Sequence, residues 1–216
     1  MTNGIILKTK EFVQSKLKTA EAGHDWFHVE RVWKNARLIL ENETANIMVV
    51  ELAALLHDIA DSKFHDGDEE LGPRIARSFL SSLHLEETTI AHVCNIIKNM
   101  SFKASLGKIE FWSKELEIVQ DADRLDAIGA IGIARAFNYG GYKNRSMYDP
   151  AIKPKENQSK EEYKNTTAPT INHFYEKLLL LKDKMNTETG KRLAESRHQY
   201  MLDFLHQFFN EWEGKQ

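Results

Sequence analysis

The sequence predicts an all-α protein, and three features carry that prediction. Apolar residues recur at three- and four-residue spacing over long stretches. Alternating strand patterns are nearly absent, and only 4 prolines and 11 glycines punctuate 216 residues. Hydrophobic residues at 42% and charged residues at 28% suit a globular domain with a sizeable core. Helices are expected near 4–19, 25–42, 45–60, 68–83, 87–100, 113–138, 168–185 and 188–213, in one domain spanning 1–216.

The first helix lies in MTNGIILKTKEFVQSKLKTA, which lacks the apolar core and cleavage site of a secretory leader. The second carries His28 and Arg31 in its first turns. The third, around ELAALLHDIA, is apolar nearly all round and is expected to be buried. The fourth has acids at its start, where they suit the helix dipole, and a Leu71, Ile75, Phe79 core stripe. The fifth carries His92 as a packed or solvated histidine. The sixth presents Ile118, Val119, Ala122, Leu125 and Ile128 as a buried face. Gly140-Gly141 are expected to end it. A long polar loop, about 140–168, follows and is a candidate lid. The last helix, capped by Thr187, places Leu193, Tyr200, Met201, Phe204, Leu205, Phe208 and Trp212 on one face. That face is core or a self-association surface, which leaves room for a homodimer.

A formal net charge of -3 gives no bulk attraction to nucleic acid or an anionic membrane, so neither is an expected partner. No stretch has the uninterrupted apolar length of a membrane span. One cysteine, Cys94, makes no internal disulfide and fits a reducing compartment. A cytoplasmic protein is expected.

Three His-Asp pairs occur: His24-Asp25, His57-Asp58 and His65-Asp66. His57 and Asp58 stand out because they end an apolar helix, where ionisable groups are costly unless paired or bound to metal. A hydrogen-bonded core histidine beside a capping aspartate is the plainer explanation of such a pair in isolation. Partners exist, however. His28 lies upstream in GHDWFHVERV, and Asp121 and Asp123 flank the buried face of VQDADRLDAIGAIGIAR. Two imidazoles and two carboxylates from three helices can close around one divalent ion, as helical bundles commonly arrange. Mixed nitrogen and oxygen donors suit Mn, Fe, Co, Ni or Zn better than a dedicated calcium site.

The ordered set His28, His57-Asp58 and Asp123 resembles the signature of the HD-domain superfamily of metal-dependent phosphohydrolases. The surrounding stretches LLHDIADSKFH, GDEELGPRIARSFL and HFYEKLLLLKDKMNTETGKRLAESRH resemble its small stand-alone bacterial branch of the YedJ/YpgQ type. The resemblance implies an all-α HD fold whose metal-binding region covers about 20–140, followed by a C-terminal helical pair at about 168–213. It implies one divalent metal, Mn favoured with Mg, Fe, Co, Ni or Zn as alternatives, and a small phosphorylated substrate, a nucleotide above all. Nucleoside triphosphate pyrophosphohydrolysis is the activity it points to. Asp123 is preferred to Asp121 as ligand because Asp123-Arg124-Leu125 matches the family's wording. Met100 stands where relatives often carry a histidine before the pair matching Ser101-Phe102.

Hydrolysis also needs a proton acceptor and cations for phosphate. Asp61, one turn after His57-Asp58, is the candidate acceptor, with helix capping as its alternative. Arg31 and Lys63 are the candidate phosphate cations, and Arg31 can instead pair with Asp25 or Asp58. Arg124, Lys143 and Arg145 are further cations. Phe64, Tyr139, Tyr142 and Tyr148 are aromatics that either stack on a base or anchor loops. Two other readings remain: a nucleotide-sensing module without turnover, or a phosphodiesterase or phosphomonoesterase on another small phosphoester.

Overall fold

The computed structural model describes residues 2–19, 25–60, 68, 70–100, 111–155 and 166–215. Among these residues every regular element is helical, as the periodicity predicts. The chain divides into two compact units, 1–123 and 124–216.

The first unit is built on α3 (Ile47–Leu56), whose residues from Val49 to Leu56 are all buried. Each wholly buried leucine there, Leu52, Leu55 and Leu56, contributes roughly 2 kcal/mol of apolar burial. Asn46 starts the helix by accepting the Val49 N–H. Around it pack α1 (Thr2–Lys16, continued by a 3₁₀ turn at Leu17–Thr19), α2 (Trp26–Leu40) and α5 (Glu87–Asn99). Helix α4 (Leu71–Ser82) pairs with α5. Trp33 and Arg37 of α2 both reach the buried Glu51 carboxylate of α3, at 3.2 and 3.4 Å. Helix α6 (Lys114–Asp126) buries Leu116, Ile118, Val119, Ala122 and Leu125. Asn35 of α2 ties to it through the Ala122 carbonyl at 3.1 Å.

The expected single helix over 113–138 is two helices, because α6 stops at Asp126 and α7 runs from Gly129 to Tyr142. Ile128 is extended and Gly129 has φ +74, which a right-handed helix does not admit and glycine supplies at little cost. The Gly140-Gly141 pair does not end the helix. The stop comes from Asn144 at φ 53, with Asn144 N–H bonded to Gly141 O and Arg145 N–H to Gly140 O, a Schellman closure. Gly140 instead permits close approach: a Cβ there would stand 2.1 Å from Thr170 Oγ1.

In the second unit the expected helix over 168–185 is a short helix, α8 (Thr170–Glu176), followed by 3₁₀ turns at Leu178–Leu180 and Lys182–Lys184. The three-residue period turns Leu178 and Leu181 inward and leaves Leu180 exposed. The loop after α7 is pinned to α8 by Thr170 N–H to Ser146 O and Ile171 N–H to Met147 O, both 3.0 Å. The final helix, α9 (Glu188–Trp212), begins as expected, with Thr187 Oγ1 accepting the Gly190 N–H at 2.9 Å. Ala194, Met201 and Leu205 are buried, and Phe204 and Phe208 join Phe137 in an aromatic cluster. Tyr200 departs from the predicted face. It neighbours Met201, about 100° round the helix, and is exposed.

Candidate metal centre

Each donor at the centre is placed by a helix end. Asp25 caps α2, accepting the His28 N–H at 2.9 Å. That fixes His28 at the third helical position, where its ring is 3% exposed. His57 is the C-cap of α3, directly after eight consecutive buried residues. Its Nδ1 lies 2.9 Å from Ala54 O, a contact that requires the Nδ1–H tautomer. Nε2 is then a lone-pair donor with a fixed direction, which is how metal-binding histidines are commonly oriented. The carboxyl end of α3 also carries a partial negative charge that favours a cation.

These elements bring His28, His57 and Asp58 together, with one ligand atom of each within 4.8 Å of the others. The two imidazoles meet edge to face at 5.4 Å between centroids. His28 Nε2 lies 3.8 Å from Asp58 Oδ2 and 3.5 Å from Asp123 Oδ1. Neighbouring ligands held at ~2.1 Å around one ion stand roughly 3.0–3.4 Å apart. The two separations from His28 are slightly wider than that. The donor set fits a divalent transition-metal ion.

Asp121 and Asp123 are two residues apart and so point to opposite sides of α6. Asp123 meets His28, whereas Asp121 is wholly buried. The third aspartate of that stretch, Asp126, pairs with Arg135 through its Oδ2. Arg31 lies three residues beyond His28 on α2 and is half-buried. Asp61 and Lys63, together with Phe64 and His65, fall outside the described residues. Met100 is half-buried at the end of α5, and Ser101-Phe102 again fall outside.

Several predicted cations and aromatics have structural partners. Arg124 donates to Lys184 O at 2.6 Å, and Arg145 to Thr166 O at 2.6 Å. Lys143 sits over the rings of Tyr142 and Tyr139. Tyr148 packs edge-on against Phe208, Phe209 and Trp212, so it anchors its loop. His92 bonds Ser113 Oγ at 3.0 Å and faces Glu115, a packed histidine as expected.

The sequence reading did not single out Asn35, Arg135 or Arg197, all of which bond to α6. Asn35 was detectable in principle, as a polar residue on the apolar face of α2. Arg197 donates to Leu125 O across 72 residues, a separation at which no local pattern operates.

Comparison with known proteins extends the geometry. Residues 26–128 match the HD domain family, a span that contains His28, His57, Asp58 and Asp123. The YpgQ protein of Bacillus subtilis is 41% identical over 207 residues, covering 95% of this chain and 92% of that one. A crystal structure from Bacillus thuringiensis described as an HD-superfamily hydrolase is similar over 100% of both chains, with TM-score 0.80 and 46% identity. A crystal structure of Bacillus subtilis YpgQ in complex with ADP covers 98% of this chain and 97% of that one, with TM-score 0.77 and 36% identity on superposition. Among the described residues, no helix is long and apolar enough to cross a membrane.

Proposed function

The chain belongs to the HD-domain family of hydrolases, and on that premise we propose that it is a divalent-metal-dependent phosphohydrolase acting on nucleotides. The observation that carries the proposal is the convergence of His28, His57 and Asp58, with Asp123 at 3.5 Å from His28. These four residues would hold the ion, and manganese is the favoured identity. An ion there supplies Lewis-acid polarisation of a phosphoryl oxygen and makes water more acidic. The ADP bound to YpgQ, a relative matching along nearly the whole chain, supports a nucleotide as substrate.

In the proposed reaction on a nucleoside triphosphate, water adds to the α-phosphorus. The bond to the bridging oxygen breaks, and pyrophosphate leaves with the electron pair. Asp61 takes the proton of the attacking water. Arg31 and Lys63 offset phosphate charge. The products are a nucleoside monophosphate and pyrophosphate. The site acts in the cytoplasm, where metal and nucleotides are available.

The test is a panel of nucleoside triphosphates, diphosphates and simple phosphoesters incubated with protein loaded with Mn²⁺ or Mg²⁺, with products separated by ion-exchange chromatography. Stoichiometric monophosphate and pyrophosphate, absent after chelation, support the proposal. Release of inorganic phosphate alone would replace pyrophosphohydrolysis with phosphomonoester or stepwise hydrolysis. Nucleotide-induced thermal stabilisation with no product from any compound would establish the sensing module instead.

A further inference from the structure

We propose that Arg197, seconded by Asn35, positions the metal centre by holding wound the last turn of α6, the turn that carries Asp123. The proposal rests on the metal reading above. The final carbonyls of a helix have no intrahelical partners, so the turn they belong to frays unless something else donates to them. Here α6 ends abruptly. Ala127 N–H reaches Arg124 O at 3.1 Å and Ile128 N–H reaches Leu125 O at only 3.4 Å before Gly129 turns the chain away.

Two side chains donate to the carbonyls that flank Asp123. On one side, Asn35 Nδ2 bonds Ala122 O at 3.1 Å from a buried place on α2. On the other, Arg197 Nη1 bonds Leu125 O at 2.5 Å from the middle of α9. Burial pulls the Arg197 guanidinium below the ordinary arginine value, opposed by the nearby Asp126 carboxylate. A cation at a helix carboxyl end meets the negative pole of the dipole, and a guanidinium there is a rigid donor that stays charged. Gly129 leaves room for its stem, since a Cβ at that position would lie 3.1 Å from both Cβ and Cγ of Arg197. Arg135 secures the same turn differently, by engaging both the carboxylate and the carbonyl of Asp126. Asp123 lies 3.5 Å from His28 in this wound turn, and fraying of the turn would loosen the carboxylate. Arg197 is therefore a positioning residue that acts through Asp123.

The test uses the full chain with Arg197→Met, Arg197→Lys and, as control, Arg192→Met at an exposed position of the same helix. Mn²⁺ affinity is measured by calorimetry and backbone amide exchange by mass spectrometry. Arg197→Met is expected to weaken Mn²⁺ binding about tenfold, as for other supports behind a metal ligand. It should also speed exchange over 123–128 selectively. Arg197→Lys should recover affinity to within about threefold, and Arg192→Met should match wild type. If Arg197→Met is insoluble, Gly129→Ala displaces the same stem and should give the same pair of effects. A folded Arg197→Met with unchanged affinity and unchanged exchange overturns the positioning role. Wild-type protein that takes up no Mn²⁺ overturns the metal reading, and the functional half of this inference with it.

Discussion

Replacing Asp58 by Asn separates stability from function with opposite signs. Asp58 and Asp123 both approach the same His28 nitrogen, at 3.8 and 3.5 Å, so the two carboxylates stand within about 7 Å of each other. Two like charges at that distance, with Asp123 42% exposed and screened by water, repel by roughly 0.5–1 kcal/mol. Asp58 also follows the carboxyl end of α3, where a negative charge is disfavoured by about 0.3–1 kcal/mol. Asparagine keeps the shape and an oxygen that can still accept a hydrogen bond while removing both penalties, so the metal-free variant should gain up to about 1 kcal/mol. For a chain of 216 residues that raises Tm by about 2–4 °C. Manganese should act in reverse. At one hundred times Kd it stabilises wild type by about 2.7 kcal/mol, or roughly 5–10 °C, and the variant by almost nothing. The assay is thermal denaturation at pH 8 in low salt with chelator or Mn²⁺. A variant retaining the full Mn²⁺ shift would refute the assignment of Asp58 as a ligand. A metal-free variant less stable than wild type by 1 kcal/mol or more would refute the repulsion argument.

Three further outcomes test the scaffold. Burial, aided by Lys177 and Arg145, pushes the His173 imidazole down from 6.5 to about 3, so between those values the unfolded chain binds a proton that the folded chain refuses. Stability from this group is complete above pH 6.5 and falls as pH drops, by about 2 kcal/mol at pH 5, and a urea-denaturation series should show a shallower acid slope for His173→Gln. Thr187→Ala removes the cap on Gly190 N–H and should lower stability by about 1 kcal/mol in urea without changing Mn²⁺ affinity. Gly140→Ala forces a Cβ against Thr170 Oγ1 and should lower stability by roughly 1–3 kcal/mol, with partial recovery in the double variant carrying Thr170→Ala; additivity in that cycle would sink the steric explanation.

By itself the sequence determined the all-helical class, the buried third helix, the Thr187 cap and the unusual status of His57-Asp58. Each is a local property, resting on periodicity, a capping residue or an ionisable pair at the end of an apolar run. The break between α6 and α7 escaped because Gly129 and Gly132 both fit within a helical pattern, and only φ +74 at Gly129 marks it as the stop. The 3₁₀ turns after α8 escaped because LLLLK fits either helical period until packing places Leu178 and Leu181 inward. The convergence at the centre was decided by tertiary structure. His28 and Asp123 are distant in sequence, and the 3.5 Å between them exists because α2 and α6 are joined at Asn35 and Ala122. Asp123, and not the wholly buried Asp121, lies on the side of α6 that meets His28. The anchoring of its last turn by Arg197 depends on a contact 72 residues away, beyond the reach of any local pattern.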